Sequence, residues 1–372
     1  MHITRRRRVT LATILSLLAV LTTTVTLTGT ARAGLLDGGC QRSALPVSLS
    51  SHASTRYTVV GWLCGADRSR GETVQVLVSG MTYDHHYWDL PYQPDEYSYV
   101  QAAIRDHHSV FNIDRIGIGQ SDHPPADEVT VTAEAYVTHQ IVQALRQGRV
   151  QHIRFARVIG VGHSLGSGIL TVEDAGYHDL DALILTGLLH QGSIARIDRV
   201  MSTLQPAAGD PRFARMNMPA GYDTTRPGAA TRFADFYDRS DADPAVAGLD
   251  NAFAQTVTSG EIADVGALSD VTASQQVHVP VLLVVGQNDS LVCDPGQGLS
   301  CRTPGDICTR EAPDFPASGS VAAYVLPDAG HPVNLHYHAN RWYAVAMRWV
   351  DHGFTASRPP SRRPLQAQLC AA

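Results

Sequence analysis

Short apolar runs recur along the chain and alternate with polar turns and with segments of helical spacing. Eight runs have strand character, at residues 45–50, 57–63, 74–78, 110–113, 157–161, 183–186, 279–285 and 322–326. Apolar residues at helical spacing mark residues 133–147, and residues 340–352 are typical of a closing helix. Strands that alternate with helices at this rhythm predict an α/β fold, with a mostly parallel central sheet flanked by helices on both faces.

The strand pattern is interrupted between residues 191 and 276. This stretch is rich in Ala, Asp, Pro, Met and aromatic residues and shows no clear strand. We therefore expect a core in two parts, 34–190 and 277–356, with an inserted, mainly helical cap over 191–276. The Arg/Pro-rich residues 357–364 favour neither helix nor strand, so we expect residues 357–372 to form a flexible C-terminal tail.

The N-terminal segment has the features of an export signal. Four arginines at 5–8 precede an apolar run from Val9 to Leu27, and Ala31-Arg32-Ala33 has the small-x-small pattern of a cleavage site. A retained membrane anchor is the alternative, because the apolar run is near the lower length limit for crossing a bilayer. Threonines dilute its hydrophobicity. We therefore expect residues 1–33 to be a cleaved signal peptide and the mature chain to be secreted, without stable membrane insertion.

Removal of that segment would make the chain strongly acidic. Residues 1–33 hold five arginines and no acid, which leaves 24 of the 29 basic residues against 35 acidic ones, a net charge of −11. Such a chain will not bind nucleic acid by neutralising phosphates, and no Arg-rich aromatic stripe argues otherwise. Nucleic-acid partners are therefore excluded.

All six cysteines lie in the part of the chain that we expect to be exported. They are at positions 40, 64, 293, 301, 308 and 370. An even number in an oxidising compartment indicates disulfides, and without a C-x₂-C pair the spacings match no zinc signature. Cys293 is expected to pair with Cys301 or Cys308, two alternatives that stay open. Cys370 lies in the expected tail, where a free thiol is the alternative to a disulfide.

The first two strand signals predict a hairpin that brings Cys40 and Cys64 together. A polar turn at residues 51–54 separates the strands, and opposed residues of an antiparallel hairpin lie equally far along the chain from its centre. Cys40 and Cys64 are each 12 residues from His52. We therefore expect a disulfide between them, which contributes about 3 kcal/mol of stability in the chain-entropy model.

The strongest local signal is Gly-His-Ser-Leu-Gly at residues 162–166, directly after an apolar strand. A strand-to-helix turn tight enough to hold a serine at its apex crowds the positions two before and two after it, where glycine fits most easily. Such a turn exposes Ser164 at the carboxyl end of the sheet, beside a helix N-terminus that favours negative charge. An ordinary glycine-rich turn is the alternative, so the hypothesis of a nucleophile needs partners for Ser164.

Two further residues complete a candidate catalytic triad. A serine hydroxyl needs a base to take its proton, and the base needs a third group to orient it. Asp289 follows the strand signal at 279–285, and His331 follows the one at 322–326. The chain order Ser164, Asp289, His331 is the one that a serine on a strand-turn-helix elbow requires. Alternative acids and bases nearby in the sequence are Asp294, His336 and His338.

These segments together resemble the α/β-hydrolase family. Residues 114–121 look like that family's D-x-x-G-x-G-x-S turn, and Ser-Gly-Met-Thr at 79–82 stands where the family usually has His-Gly-x. The resemblance spans residues 45–190 and 277–352. It implies the α/β-hydrolase fold, the triad named above and no cofactor.

By the same resemblance, the backbone N–H groups of Leu165 and Met81 form the oxyanion hole. Such donors stabilise the charge that develops on the carbonyl oxygen, and losing one typically costs ~10²–10³ in turnover. Ser79 replaces the family's histidine, which leaves Thr82 as an alternative donor.

Two pairs of adjacent histidines, His85-His86 and His107-His108, are candidate metal ligands. Neighbouring residues on an extended chain point to opposite faces, so we do not expect either pair to converge on one ion. We interpret them as loop or packing residues and expect no metal site.

The residues and the resemblance together indicate an extracellular serine hydrolase of carboxylic esters, similar to a carboxylesterase or lipase, whose partner is a small-molecule or lipid ester. Amidase, exopeptidase, acyl-transferase or cyclase chemistry at the same triad stays open, as does a non-catalytic binding protein with this fold. Several apolar residues of the cap should either line an acyl pocket or form the cap's own core. These are Phe213, Met216, Met218, Phe233, Phe236 and Tyr237.

Overall fold

The computed structural model describes residues 39–66, 73–354 and 367–370. The expected signal peptide, residues 1–33, and the Arg/Pro-rich part of the tail lie outside the described residues. Among the helices described, none combines the length and the apolar character that crossing a membrane requires.

Most of the strands form one sheet. The described strands are β1 (Cys40–Val47), β2 (Tyr57–Cys64), β3 (Thr73–Val78), β4 (Ser109–Asp114), β5 (Arg157–His163), β6 (Ala182–Thr186), β7 (Leu204–Pro206), β8 (Tyr222–Thr225), β9 (Thr256–Thr258), β10 (Val281–Gly286), β11 (Val321–Leu326) and β12 (Gln368–Leu369). The main sheet has the order β1-β2-β4-β3-β5-β6-β10-β11-β12. Strands from β4 to β11 in this order run parallel. At the edges, β2 and β12 pair antiparallel with β4 and β11, and β1 pairs antiparallel with β2. The predicted, mostly parallel α/β sheet is confirmed.

Helices flank this sheet. The described α-helices are α1 (Pro94–Tyr97), α2 (Tyr99–Arg105), α3 (Val131–Arg146), α4 (Leu165–Tyr177), α5 (Ile194–Ser202), α6 (Ala229–Phe236), α7 (Pro244–Ala252), α8 (Ser259–Asp264), α9 (Val271–Ser274), α10 (Pro304–Glu311) and α11 (Ala339–Asp351). α3 packs against α4, and α2 packs against α11. Every residue of β6 and β10 is buried, as expected for a parallel sheet that helices cover on both faces.

Disulfides fasten both edges of the sheet. They join Cys40 to Cys64, Cys293 to Cys301 and Cys308 to Cys370. The register of β1 and β2 pairs Cys40 with Cys64, which is the pairing that the hairpin geometry predicts. Three disulfides indicate an oxidising environment.

The expectation of a flexible tail over residues 357–372 is wrong at residues 367–370. β12 pairs with β11, and Cys370 is bonded to Cys308 instead of being a free thiol. The sequence gives little sign of this because a two-residue strand carries no periodicity, and its attachment depends on a cysteine 62 positions away.

The segment between β6 and β10 contains helices α5 to α9 and also an antiparallel sheet in the order β7-β8-β9. The expectation that this segment has no strand is wrong, because these short strands bury threonines instead of an apolar run. The hydroxyl of Thr224 donates to the Gln255 carbonyl at 2.8 Å, and that of Thr256 donates to the Gly117 carbonyl at 2.9 Å. Hydroxyls paired in this way can be buried, so no hydrophobic pattern marks the strands.

Candidate active site

Ser164 lies at the apex of the turn between β5 and α4. Its backbone has φ 51° and ψ −118°, a conformation that residues with a side chain rarely adopt and that costs about 1–3 kcal/mol. The Ser164 N–H donates to the Thr186 carbonyl at 2.7 Å, which ties the apex to the neighbouring strand β6. The surrounding structure therefore holds the serine in a strained and defined position.

Glycines on either side make this turn possible. A Cβ on Gly162 would lie 2.6 Å from the backbone of Ser167, and a Cβ on Gly166 would overlap the Val78 carbonyl oxygen. Both contacts are with backbone atoms, which cannot move aside as a flexible side chain could. The structure thus has the crowding that the glycine spacing predicts.

Asp289 and His331 meet at the carboxyl ends of β10 and β11. His331 Nδ1 lies 2.9 Å from Asp289 Oδ2, and both side chains are buried. The other carboxylate oxygen, Oδ1, accepts from the Leu291 N–H at 3.0 Å. A proton on Nδ1 shared with this carboxylate leaves Nε2 of His331 as the ring nitrogen that can accept a proton.

The alternative acid and bases are engaged elsewhere. Asp294 accepts from the Ser193 hydroxyl at 3.0 Å and from the Gln297 amide at 2.6 Å. His336 is buried, and its Nε2 accepts from the N–H groups of Gly330 and Asp238. Burial lowers the pKa of His336 to about 4. His338 is exposed at the start of α11. None of the three has the geometry of the Asp289–His331 pair.

Ser164 and His331 line one cavity of about 100 Å³. Apart from these two residues its walls are almost entirely apolar or aromatic: Met81, Tyr83, Leu165, Leu188, Leu189, Ile197, Val200, Met201, Phe236, Val265, Leu268, Leu291 and Val292, with Gly187 and Gly192. No acidic or permanently charged side chain is among the lining residues. The cavity is therefore suited to an apolar group next to the serine.

Only one of the cap residues expected at this cavity lines it, namely Phe236. Phe213, Met216 and Met218 pack instead in a small separate cluster with Ala126, Ala207 and Tyr222. Phe233 stacks on Tyr237, with ring centroids 5.1 Å apart, and neither residue lines the cavity. The alternative expectation, a small core of the cap's own, describes Phe213, Met216 and Met218, whereas Phe233 and Tyr237 pack with the main core.

Sequence reasoning missed the contribution of α5 to the cavity. Ile197, Val200 and Met201 of this helix line it, whereas Ile194 is 72% exposed. Their spacing of three and four residues is the helical signal that could have identified them.

The turn at residues 79–82 comes close to Ser164. A Cβ on Gly80 would lie 3.1 Å from Ser164 Cβ, and Met81 and Leu165 both line the cavity. The N–H of Leu165, the first residue of α4, has no partner within the helix. Thr82 does not line the cavity, and its hydroxyl accepts from Arg232 at 3.1 Å. This arrangement favours the N–H of Met81 over Thr82 as the second donor, beside Leu165, of an oxyanion hole.

A buried arginine that the sequence did not reveal holds this turn. Arg115 donates to the Gly80 carbonyl at 3.2 Å and pairs with Glu134 of α3 and Glu261 of α8. Buried charges of this kind persist only when they are paired. The one sequence feature that could have drawn attention to Arg115 is its position inside the Asp-x-x-Gly segment.

The expectation that His85 and His86 point to opposite faces is wrong. Residues 85–87 form a 3₁₀ turn, and the two rings lie 4.1 Å apart. Each ring meets a carboxylate: His85 Nδ1 is 2.7 Å from Asp114, and His86 Nδ1 is 2.8 Å from Asp84. In the other pair, His108 Nε2 is 3.3 Å from Asp351.

Solved structures share this fold at low sequence identity. E-2-(Acetamidomethylene)succinate hydrolase is 17% identical with a TM-score of 0.52, and the match covers 84% of this chain and 100% of that one. The enol-lactonase from Burkholderia xenovorans LB400 is 17% identical with a TM-score of 0.52, covering 80% and 96%. A structure from a study of carboxylesterases of the thaumarchaeon Nitrososphaera gargenis is 15% identical with a TM-score of 0.54, covering 83% and 98%. These likenesses show the fold.

A comparison with curated proteins finds no match. The alpha/beta hydrolase family matches residues 75–346, which include the serine turn, the cap and both the aspartate and histidine turns. The chain therefore belongs to the alpha/beta hydrolase family.

Proposed function

We propose that this hydrolase cleaves carboxylic esters through Ser164, His331 and Asp289. The observation that carries the proposal is the cavity in which Ser164 and His331 face one apolar space, while Asp289 lies behind His331 at 2.9 Å. A nucleophile, a base and an orienting acid in that relation are what acyl transfer from an ester requires.

The proposed reaction has two steps. The Ser164 hydroxyl oxygen attacks the ester carbonyl while His331 Nε2 takes its proton, and the N–H groups of Leu165 and Met81 stabilise the oxyanion. When the resulting tetrahedral intermediate collapses, the bond to the alkoxy group breaks, and this group leaves as the alcohol with the proton from His331. A water molecule then gives a proton to His331 and attacks the acyl-enzyme carbonyl. The bond to the Ser164 oxygen breaks, the acid is released, and His331 returns the proton to Ser164.

The cavity also suggests which esters fit. Its volume of about 100 Å³ is smaller than the ~150 Å³ apolar cavity that can hold benzene. Its walls offer no cation to an anionic acyl group. We infer that the substrate carries a short, uncharged, apolar acyl group.

We also propose that the protein acts outside the cell. Three disulfides indicate an oxidising environment, and the arginines, apolar run and Ala-Arg-Ala sequence before Gly34 have the pattern of a signal peptide.

A panel of p-nitrophenyl esters tests the proposal. We expect turnover that is highest for acetate to butyrate and falls for longer acyl chains, and none above background in Ser164→Ala. Matched p-nitroanilides separate amide from ester cleavage. Ester turnover by a folded Ser164→Ala variant at the rate of the unmodified protein would contradict the proposed chemistry.

A further inference from the structure

Three potential metal ligands converge near the end of α4 that is remote from Ser164. His139 belongs to α3, Glu173 belongs to α4, and Asp179 follows α4. One ligand atom from each lies within 4.8 Å of the other two. His139 Nδ1 and Asp179 Oδ2 are 2.8 Å apart.

Glu173 is fully buried among these groups, and neither of its carboxylate oxygens has a hydrogen-bond partner within the described residues. The group beside it is the Asp179 carboxylate, which is also an acceptor and has one unpartnered oxygen of its own. With no donor in the described part of the chain between the buried Glu173 carboxylate and the unpartnered oxygen of Asp179, the pair needs either a cation or a shared proton between them.

The charges nearby favour a cation. The carboxylates of Glu173 and Asp179 lie at the C-terminal end of α4, where the helix dipole is negative, and the last turn of α4 has no basic residue. Arg146 is the nearby cation, but it donates to the Asp179 backbone carbonyl and to the Asp181 carboxylate. Its guanidinium thus leaves the gap between the two carboxylates unfilled.

The surroundings hold two of the ligands in place and leave a route from solvent. Gln143 donates to Asp179 Oδ2 at 2.6 Å, and the ring of Tyr177 stacks on His139 with centroids 4.2 Å apart. Contacts of this kind orient metal ligands. The side chains of His139 and Asp179 are 25% and 14% exposed, so an ion can reach Glu173 past them.

We propose that His139, Glu173 and Asp179 bind a divalent transition-metal cation, with Zn²⁺ the first candidate. One imidazole nitrogen and two carboxylates form a three-ligand protein set that Zn²⁺ accepts, with water as the fourth ligand. His139 Nδ1 and Asp179 Oδ2 are 2.8 Å apart, and adjacent ligands about 2.1 Å from a tetrahedral ion are about 3.4 Å apart, so the two groups need to separate by only about 0.6 Å to bind it. The ion would link α3 to α4, the helix that begins beside Ser164.

Two other groups of potential metal ligands serve as controls for the proposed site, because the buried carboxylate in each already accepts a hydrogen bond. Asp84, beside His85 and His86, accepts from the His86 N–H, and Glu311, beside Asp314, accepts from the His190 N–H. The buried carboxylate of each group thus already has a donor, whereas neither oxygen of Glu173 has one among the described residues. No described cysteine is free, so no thiolate competes for zinc.

Zinc binding to the chelator-treated, disulfide-intact protein tests the proposal. We expect one Zn²⁺ per chain in calorimetry and a rise of several degrees in the melting temperature. Glu173→Gln should weaken binding at least tenfold and abolish the rise, and Glu311→Gln should change neither. His139→Gln, at a partly exposed position, should behave as Glu173→Gln does, and it replaces that variant if Glu173→Gln does not fold.

Two results would overturn the proposal. One is the absence of zinc-dependent stabilisation in the unmodified protein, together with a Glu173→Gln variant at least as stable, which is the behaviour of a shared proton. The other is zinc binding that persists in both Glu173→Gln and His139→Gln, because the ion would then bind elsewhere.

Discussion

Contacts with neighbouring residues fix the backbone conformation of Ser164. The Ser164 N–H donates to the Thr186 carbonyl, and Gly162 and Gly166 leave room for the turn. Gly80 lies against the Cβ of Ser164. Strain of about 1–3 kcal/mol at this residue persists only because the sheet and α4 fix both sides of the turn. The hydroxyl is consequently presented to the cavity without a conformational change.

The roles of the two candidate acids can be separated by substitution. We expect Asp289→Asn to lower kcat by about 10⁴, because the amide NH₂ can donate to His331 Nδ1 and thereby hold the ring proton on Nε2, where the base must be free. His331→Ala should cost more, about 10⁶, since it removes the base itself. Steady-state ester hydrolysis measures both values.

Asp294→Asn is the matched control for the acid. Its carboxylate accepts from Ser193 and Gln297 in the turn after the Asp289 segment, so kcat should change less than tenfold. A larger loss in Asp294→Asn than in Asp289→Asn would show that Asp289 is not the acid.

The residues that could be found from sequence are those whose placement follows from local pattern. Asp289 and His331 each follow a buried strand, so their meeting at one sheet edge could be inferred. Arg115 could not be assigned, because its partners Glu134 and Glu261 lie 19 and 146 positions along the chain. Residues paired over such separations leave no periodic trace in the sequence.

At the scale of elements, the cap also shows that local sequence pattern does not predict long-range packing. Its helices were expected, but its three strands were not, and most of the aromatic residues expected at the cavity pack elsewhere. Helix α5 supplies much of the apolar wall instead. The sequence predicted a mainly helical cap, whereas the direction of each side chain depended on tertiary packing.

Helix α5 gives a direct test of the acyl pocket. Ile197→Trp should fill part of the cavity and lower kcat/KM for butyrate and longer esters at least tenfold relative to acetate. Ile194→Trp is the matched control, because Ile194 is 72% exposed on the same helix and its replacement should leave the preference unchanged. Equal chain-length profiles for Ile197→Trp and the unmodified protein would exclude this helix as the acyl wall.

His336 connects the turn after β11, which holds Gly330 and His331, to the cap. Its Nε2 accepts from the N–H of Gly330 in the turn and from that of Asp238 in the cap, and burial lowers its pKa to about 4. As the pH falls below the ordinary histidine pKa of about 6.5, the unfolded chain binds a proton before the folded chain does. We expect this group to contribute about 3 kcal/mol of stability that is lost between pH 6.5 and pH 4.

Unfolding free energies across that pH range measure the contribution. In His336→Gln, which keeps an acceptor but does not titrate, stability should fall less steeply with acidification. His338→Gln is the control at an exposed position and should keep the original slope. Parallel pH profiles for the unmodified protein and His336→Gln would refute the assignment.

At the scale of the whole molecule, a disulfide attaches the C-terminal strand to the core. Cys308 of α10 and Cys370 are 62 positions apart. In the chain-entropy model, a disulfide that closes a loop of that length stabilises the fold by about 4 kcal/mol. The double substitution Cys308→Ser, Cys370→Ser should lower the unfolding free energy by about that amount while leaving ester turnover within a few-fold. Urea unfolding measures the first effect. A change below about 0.5 kcal/mol would mean that residues 367–370 add little to the stability of the fold.

The central claim is that Ser164 is an activated nucleophile, and covalent labelling tests it most directly. The folded protein is treated with a fluorophosphonate probe, digested, and the modified peptide is located by mass spectrometry, with His331→Ala as the control that keeps Ser164 but lacks the base. We predict stoichiometric labelling on Ser164 in the unmodified protein and little labelling in His331→Ala. Labelling at a different residue, or no labelling of the folded protein, would contradict the account.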